Sequence, residues 1–543
     1  MPFPVLFSTA ELIDLCRQIW NTLIDKCNKA EENALRCCKN DKYKWCASVP
    51  LVDYRDGEGN AYCVFHAPKG KKGISSDEFI KRVRQRIQAE TRVHSKCDLS
   101  GTNFEGILFL TDGYGLERGK ELFLNESLFN DEFRIQNCKN IGTISFSDAT
   151  FLSIVTIKNV EIHEHLDLSG VSFNDYFKIV DSVFHESFGF LMAKLADLYI
   201  IGSTFHDGMT IHETSLTGTI GLLDSTFIKV SSFHDCSFNE ARVSGCTFDT
   251  LKFLDTTVNQ DAAFLDLMLN GLSGFWGNTF LGEARFEHII IKERLQFHSV
   301  DLGKAVFWDT DMRNINFVNS QWPTSHGRTI LYDEILLASQ QREVDKSIFE
   351  DREYKLSTRI YRKLGSISPK FSMTFFSGAD IQKVENKYRL LKQKYKEEHN
   401  EIEASNWHYG EKEMQRKCSL FQRFFPLSPL NLYWLFSGYG ERPFRAAISL
   451  LIFIISLAVF LGLEGVEDKS MNAAMQLTLS GEQVDWVSLG KLILGTLQFA
   501  LFDRSPDFIP ITLAGKFLKV LAQVLIPVQA AFFVFALRNK YRR

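Results

Sequence analysis

The sequence predicts a multidomain α+β membrane protein in which a β-solenoid is followed by a helical connector and a two-span helical membrane domain with a re-entrant helix. Three observations support this prediction: Phe recurs mostly at steps of 10 or 11 residues over 97–320, a Lys- and Glu-dense region follows, and residues 446–463 carry no charge. A fixed internal period indicates a solenoid, and such a charge-free stretch nearly spans a bilayer core. The predicted boundaries are 1–95 for an N-terminal helical and Cys/His domain, 96–325 for the solenoid, 326–440 for the connector and 441–543 for the membrane domain.

The composition excludes one class of partner and indicates a compartment. The 543 residues have a net charge of −4 and a pI of about 6.4, so no basic field attracts nucleic acid and none is expected as a partner. Several of the eleven Cys occupy apolar positions of the repeat, which is typical of a reducing compartment. The first ten residues lack a basic start and a long apolar run, so we expect no cleaved signal peptide and a cytoplasmic N-terminus.

The N-terminal domain contains a predicted structural zinc site between two predicted helices, over 8–36 and about 75–90. Cys63 and His66 have the Cys-x-x-His spacing with which one loop supplies two ligands to a tetrahedral Zn²⁺. Cys38 and Cys46 complete a set of three Cys and one His, with Cys37 as the substitute. A closed set of four protein ligands leaves no position for water, so the ion would be structural. The alternative is that these residues are free buried thiols.

The solenoid prediction depends on a register of Phe residues. A small residue usually precedes each Phe by two positions and an apolar residue often precedes it by five, as Ser203 and Ile200 precede Phe205. A chain that turns a corner every five residues would point one large and one small side chain inward on each segment, with turn-prone Asp, Asn, Ser and Gly between them. A generic β-sandwich does not predict this register. The Phe residues concerned are Phe129, Phe151, Phe173, Phe184, Phe205, Phe227, Phe238, Phe248, Phe253, Phe264, Phe275, Phe286, Phe297, Phe307 and Phe317.

This pattern resembles the pentapeptide-repeat family over residues 97–320. The resemblance implies a right-handed parallel β-helix with about 20 residues in each coil. This chain departs from the family pattern because the spacing drifts to 11 and many corners lack the consensus Leu. Some members of the family imitate DNA and bind topoisomerases, but that role needs a strongly acidic rod, and Lys and Arg punctuate the repeats here.

Two helical segments, over about 330–365 and 379–417, are predicted to connect the solenoid to the membrane domain. The second carries an apolar stripe that includes Val384, Tyr388 and Leu391, and it is otherwise dense in Lys and Glu. That pattern is typical of a solvated helix pair with one buried face.

Two membrane spans are predicted, over about 444–465 and 517–537. The second span is interrupted by Lys519, Gln523 and Gln529. Polar residues in a membrane helix usually face a bundle interior or a water path, because exposure to lipid is costly. The alternative is that these side chains only hold helices together.

Residues 486–502 are apolar but marginal as a full span, and they predict a half-membrane re-entrant helix. Arg442 and Arg445 precede the first span, and Arg538 and Lys540 follow the second. The positive-inside rule therefore predicts a multi-pass protein of the inner or plasma membrane with both termini in the cytoplasm.

The order helix, re-entrant helix, helix is similar to a potassium-channel pore domain, and this resemblance implies a homotetramer around a central pore. A potassium filter uses a Thr-x-Gly-Tyr-Gly run whose carbonyls replace the water shell of the ion. Here no Gly-Tyr-Gly follows Thr496, and the one at 438–440 precedes the first span, so potassium selectivity is not expected. The candidate pore residues are Thr496, Asp503, Arg504, Asp507, Lys519, Gln523 and Gln529; the alternative for the charges after Thr496 is an ordinary interfacial position.

Two function classes remain, and neither is an enzyme, since the sequence has no Walker, Gly-x-Ser-x-Gly or His-Glu-x-x-His motif. The first is an oligomeric ion channel or pore-forming effector in the lipid bilayer, with the cytoplasmic solenoid as a sensing or assembly surface for an unknown protein or ligand. The second is a non-conducting, membrane-anchored scaffold. On the solenoid, His185 and His206 lie one coil apart and predict a stack on an outer face, with a plain solvated surface as the alternative.

Overall fold

The computed structural model describes residues 18, 21, 22, 36–325, 327–339, 378–418, 428–468, 473–476, 486–501, 503 and 508–541. The predicted helix over 8–36 and most of the predicted segment over 330–365 lie outside these residues. The chain divides into two compact units, Met1–Trp322 and Pro323–Arg543, which we describe separately.

The first unit begins with a small cap on the solenoid. A 3-10 turn, Lys44–Cys46, precedes an antiparallel hairpin of strands Leu51–Arg55 and Ala61–Cys63. Helix α1, Ser76–His94, follows. It starts where the Ser75 hydroxyl accepts a hydrogen bond from the backbone N–H of Glu78 at 3.3 Å, which satisfies one of the free amides of the first turn.

The rest of the first unit is a parallel β-solenoid of about ten turns, which confirms the predicted fold class. Most neighbouring coils pair at intervals of 21 or 22 residues, as Thr150 pairs with Ser172 and Phe184 with Phe205. One face is a nine-stranded sheet of Asn103–Phe104, Leu128–Phe129, Thr150–Phe151, Ser172–Phe173, Lys194–Leu195, Ser215–Leu216, Ser237–Phe238, Thr257–Val258 and Thr279–Phe280. A second face, in the first coils, is formed by Lys96–Asp98, Glu121–Phe123, Thr143–Ser145 and Leu166–Asp167.

The remaining solenoid strands join in one continuous sheet that wraps around the coils. These strands are Leu108–Leu110, Phe133–Ile141, Val155–Ile162, Phe177–Val180, Val183–Phe184, Phe188–Leu191, Leu198–Ile201, Thr204–Phe205, Met209–His212, Thr219–Leu223, Thr226–His234, Glu240–Ser244, Thr247–Leu254, Ala262–Leu265, Met268–Leu269, Ser273–Trp276, Ala284–Glu287, Ile290–Ile291, Leu295–His298, Ala305–Val306 and Ile315–Val318. Short 3-10 turns, Asp112–Tyr114 and Met312–Asn314, lie near its two ends.

The core of the solenoid consists of columns of stacked Phe rings. The ring of Phe129 lies 4.4 Å from that of Phe104 and 4.3 Å from that of Phe151, with the planes within 9° of parallel. In a neighbouring column Phe205 and Phe227 are 5.0 Å apart. The predicted Phe register is therefore confirmed, and most of its rings stack on a Phe at the equivalent position of a neighbouring coil.

The small residues of the repeat form a second, polar column inside the solenoid. Ser182, Ser203 and Ser225 are buried. The Ser203 hydroxyl donates to a backbone carbonyl two residues earlier at 2.9 Å and accepts the backbone N–H of Ser182 at 3.2 Å. Asp181 and Asp224 precede this column with φ near +49° and +48°, in the left-handed region that Asp tolerates better than most residues. The left-handed Asp lets the chain turn, and the Ser hydroxyl that follows keeps the backbone amides at the turn hydrogen-bonded.

The second unit starts with the connector. Its elements are a hairpin of Thr324–Ser325 and Arg328–Thr329, helix α2 at 332–339, helix α3 Gly378–Glu397, helix α4 Glu401–Cys418 and helix α5 Pro429–Ser437. Helices α3 and α4 pack against each other, and the predicted stripe of Val384, Tyr388 and Leu391 is fully buried between them. The Tyr388 ring lies 5.9 Å from that of Trp407.

Among its described residues, the predicted membrane domain contains two helices that are long and apolar enough to cross a membrane. They are helix α6, Pro443–Glu464, and helix α8, Leu513–Tyr541, and both contain the predicted spans almost completely. Their outer faces are exposed and apolar, for example at Phe444, Ile452 and Phe517. Between them lie the shorter helix α7, Trp486–Ala500, and a three-stranded sheet of Val466–Asp468, Ala473–Met475 and Phe508–Pro510.

Candidate metal centre and membrane domain

Three Cys and one His of the N-terminal cap converge in a buried group. Cys37, Cys46, Cys63 and His66 are each at most 5% exposed, and their ligand atoms all lie within 4.8 Å of one another. The Sγ atoms of Cys37 and Cys63 lie 3.4 and 3.2 Å from Nδ1 of His66. Around a tetrahedral ion with bonds of about 2.3 Å to sulfur and 2.05 Å to nitrogen, these separations would be about 3.6 Å. The group therefore could hold a metal ion with only small adjustments.

Local structure brings the four side chains together. Cys46 ends the 3-10 turn and Cys63 ends the second strand of the hairpin. A turn follows in which the backbone N–H of His66 donates to the Cys63 carbonyl at 3.1 Å. The segment that carries Cys37 is attached to the hairpin because the backbone N–H of Cys38 donates to the Ala61 carbonyl at 2.8 Å.

The structure corrects one member of the predicted ligand set. Cys37, the substitute, belongs to the group, and Cys38 does not. Cys38 begins a turn in which the backbone N–H of Asn40 donates to the Cys37 carbonyl at 2.8 Å. The bond from Cys38 to Ala61 holds this turn with the Cys37 side chain buried and the Cys38 side chain outside the group. The Cys38 thiol instead contacts Tyr62, and partial burial raises its pKa.

The electrostatics of the group favour a thiolate beside the imidazole. Hydrogen bonds from Cys46 and Cys63 lower the pKa of Cys37 far below that of a free thiol. Burial opposes protonation of His66, but its contacts with Cys37 and Cys63 outweigh burial and raise its pKa to about 9. Thiolates are the form in which Cys binds metals.

The two ring nitrogens of His66 have different surroundings, and only Nδ1 faces the thiols. The ring lies between Tyr43 and Trp45, at centroid distances of 5.3 and 5.2 Å.

A buried lysine clamps the loop that supplies Cys63 and His66. Lys72 is only 2% exposed, and its ammonium donates to the carbonyls of Val64 at 2.8 Å, Phe65 at 3.2 Å and Ala67 at 2.9 Å. Burial lowers its pKa to about 8. The role of Lys72 could not be predicted, because nothing in the local sequence distinguishes it from the neighbouring lysines of the same loop.

In the membrane domain, α7 packs against both long helices. Leu492 and Phe499 of α7 belong to one buried cluster with Leu461 of α6 and Ala522 of α8. The strand that follows α6 pairs with the strand that precedes α8, so that Asp468 lies opposite Phe508. The segment that contains α7 thus leaves and returns at the same edge of the domain, as a re-entrant helix does.

Two of the predicted pore residues have structural roles. Thr496 is buried, and its hydroxyl donates to the Leu492 carbonyl of its own helix at 2.8 Å. Gln529 is also buried, and its amide donates to the carbonyls of Phe436 and Ala446, both at 3.0 Å. For Gln529 the alternative of a side chain that holds helices together therefore applies.

The other candidates are more exposed or are not described. Lys519 and Gln523 are half-buried and share one face of α8, four residues apart. The Lys519 ammonium lies 5.1 Å from the centre of the Phe499 ring. Asp503 is exposed just beyond α7. Arg504 and Asp507 lie outside the described residues.

The Gly-Tyr-Gly segment, which cannot serve as a filter, forms a turn that connects two helices. Gly438, Tyr439 and Gly440 have φ of 57°, 61° and 75° and form the turn between α5 and α6. Tyr439 is fully buried, and its hydroxyl donates to Glu413 of α4 at 3.1 Å. From the other side, the Asn539 amide of α8 donates to the Gly440 carbonyl at 3.1 Å. This role depends on partners far away in sequence, Glu413 and Asn539, so the segment itself did not predict it.

Comparison with known proteins identifies no relative for this chain: no protein-family model, curated sequence or solved structure matches it significantly. A function for this chain is therefore proposed from its fold and from the two sites described above.

Proposed function

We propose that this chain is the subunit of a homo-oligomeric membrane ion channel or pore-forming effector, and that its solenoid is a cytoplasmic sensing or assembly domain. The observation that supports this proposal best is the half-length helix α7, which packs on both long helices. The strands before and after α7 pair with each other, so the segment that contains this helix begins and ends at the same edge of the domain. A simple anchor needs only the spans.

The polar face of α8 gives a second reason. Lys519 and Gln523 remain half-exposed on a stretch of α8 where the next residue after each, Val520 and Val524, is exposed and apolar. A charged or amide side chain is costly against lipid, so a second copy of the chain or a water path is expected at this face. Two spans cannot enclose a conduit alone, and the resemblance to potassium channels favours a tetramer.

The charge distribution favours a cytoplasmic position for both termini, and therefore for the solenoid, in the inner or plasma membrane. We also propose a non-enzymatic role, because the sequence has no Walker, Gly-x-Ser-x-Gly or His-Glu-x-x-His motif. Selectivity for potassium is not part of the proposal, because the filter sequence is missing.

We also propose that the group of Cys37, Cys46, Cys63 and His66 binds a structural Zn²⁺. Three thiols and one imidazole at these distances are typical of closed tetrahedral zinc sites. The ion would tie the 3-10 turn, through Cys46, to the hairpin, through Cys63.

The channel proposal is tested by conductance of the purified full-length protein in planar bilayers. Discrete currents are expected from the wild type, and Lys519→Leu/Gln523→Leu should change their size or abolish them. Val520→Leu/Val524→Leu is the matched control on the exposed apolar face of the same helix, and it should conduct like the wild type. Silence across voltage, pH and tension, from protein that is inserted and oligomeric, would instead support the membrane-anchored scaffold.

A further inference from the structure

Three histidines form a column on the outside of the solenoid. His163, His185 and His206 occupy matching positions in successive coils, with ring centroids 4.1 and 4.8 Å apart and planes within 9° of parallel. The backbone N–H groups of His163 and His185 donate to the carbonyls of Ile141 and Ile162 in the preceding coils, at 3.1 and 3.0 Å. The predicted stack of His185 and His206 is thus confirmed, and the structure adds His163 to it.

A carboxylate lies against the first two rings of this column. Glu161 is two residues before His163 and therefore on the same face of its coil. Its Oε1 atom lies 3.2 Å from Nε2 of His163 and 3.0 Å from Nε2 of His185. The ligand atoms of the three residues are all within 4.8 Å of one another. The hydrogen bond from His185 lowers the pKa of Glu161, which keeps the carboxylate ionised.

We propose that Glu161, His163 and His185 form a binding site for a divalent transition-metal ion such as Zn²⁺. With bonds of about 2.05 Å to nitrogen and oxygen, two ligand atoms on a tetrahedral ion are about 3.3 Å apart. The two nitrogen-to-oxygen separations of 3.2 and 3.0 Å are already close to this value. One ion can therefore replace the hydrogen bond between Glu161 and His185 and the contact between Glu161 and His163.

The donor set determines which ions fit. Two imidazoles and one carboxylate favour Zn²⁺, Cu²⁺ or Ni²⁺ over Mg²⁺ and Ca²⁺, which prefer oxygen ligands. The three side chains are between 20% and 40% exposed, so a fourth position faces solvent. This site is open and its ion is exchangeable, unlike the closed group in the N-terminal cap.

The solenoid holds these ligands in place before any ion binds. The parallel strand ladder sets the distance between coils, so the two rings cannot drift apart as side chains on a flexible loop would. A second group on the solenoid, His212, His234 and Asp235, also has its ligand atoms within 4.8 Å of one another. Its rings are 4.7 Å apart, and its carboxylate lies 3.5 Å from His234, farther than Glu161 lies from either of its two rings. The site at Glu161 is therefore expected to bind more tightly.

This proposal gives a chemical class to the unknown ligand of the solenoid and does not depend on channel activity. Purified full-length protein is titrated with Zn²⁺ in competition with a chromophoric chelator. His163→Ala and His185→Ala should each lower the affinity for one exchangeable Zn²⁺ ion at least about tenfold. His206→Ala, in the same column but outside the converging atoms, should change its affinity less than twofold.

Cu²⁺ bound to the same proteins provides a second readout that a change in folding would not imitate. Its electron paramagnetic resonance spectrum should show coupling to two imidazole nitrogens in the wild type and in His206→Ala, and to one in either ligand variant. The proposal is overturned if the ligand variants bind Zn²⁺ as the wild type does. It is equally overturned if His206→Ala weakens binding as much as they do.

Discussion

The hydroxyl of Tyr439 donates a 3.1 Å hydrogen bond to Oε2 of Glu413, and this bond joins the connector to the turn that begins the first span. Glu413 also binds the Arg416 guanidinium at 2.6 Å. Because Asn539 of the last span holds the neighbouring Gly440, the same turn is fixed from the connector and from both spans. The turn is therefore hydrogen-bonded to both α4 and α8.

Removing the hydroxyl tests that connection. Tyr439→Phe keeps the ring but deprives the Glu413 carboxylate, which is only 12% exposed, of a donor, so we expect the free energy of unfolding to fall by about 1 to 3 kcal/mol. Thermal unfolding of the solubilised protein measures the change. Tyr541→Phe, at an exposed tyrosine near the end of the same unit, should have no effect. Equal behaviour of the two variants would show that the bond to Glu413 contributes little.

Metal content tests the corrected ligand set in the N-terminal cap. Cys37→Ser and Cys63→Ser each remove one of the four converging ligands, so protein purified without chelator should lose its tightly bound zinc. Cys38→Ser changes the neighbouring thiol that contacts Tyr62, and it should keep one zinc ion per chain. Elemental analysis by mass spectrometry measures the ratio. Loss of zinc in Cys38→Ser but not in Cys37→Ser would restore the original assignment.

The clamp at Lys72 makes a separate prediction about the same loop. Lys72→Met fills a similar volume but leaves three buried carbonyls without their donor. Leaving buried acceptors unpaired costs about 1 to 3 kcal/mol, here offset in part because a buried charge is also removed. We expect a net loss of about 1 to 3 kcal/mol in unfolding free energy and weaker zinc retention. Lys71→Met, at an exposed neighbour, is the control and should leave both quantities unchanged.

The solenoid could be predicted because its signal is repeated. Each Phe, with its small residue two positions earlier, is one instance of a rule that many coils obey, and the stacked rings follow from that period alone. The spans could be predicted for a similar reason, since length and apolarity are local properties of the chain.

The roles that depend on a single partner far away in sequence could not be predicted. Cys37 and Cys38 are adjacent and chemically identical, and the choice between them depends on the bond from Cys38 to Ala61. Gln529 was a pore candidate because a polar residue in a span has several uses. Its carbonyl partners at Phe436 and Ala446 are visible only once the helices are packed.

The serine column of the solenoid allows a test of the small residues. Ser203→Ala preserves the volume needed for packing but removes the acceptor of the buried Ser182 N–H. We expect a loss of about 1 to 3 kcal/mol in unfolding free energy, measured by urea denaturation followed by circular dichroism. Ser237→Ala, at an exposed position of the solenoid, should cost less than about 0.5 kcal/mol. A similar loss in both variants would point to the strand itself and not to the buried hydroxyl.

The connector is expected to lose stability in acid through Glu411. Its carboxylate is buried, pairs with Lys392, and lies 3.3 Å from the Arg389 guanidinium. Burial raises its pKa, but the contacts with His408, Lys392 and Arg389 outweigh burial and lower the pKa from 4.5 to about 2.

Because the pKa of Glu411 is lower in the folded state, the folded chain binds fewer protons than the unfolded chain between about pH 2 and pH 4.5. The stabilisation, about 3 kcal/mol at most, is complete above pH 4.5 and disappears as the pH falls towards 2. Glu411→Gln should therefore be less stable than the wild type at pH 7, and the difference in denaturation midpoint should shrink below pH 4.5. Glu397→Gln, at an exposed carboxylate of α3, is the control. A difference that stays constant from pH 7 to pH 3 would assign the effect to packing of the side chain and not to its charge.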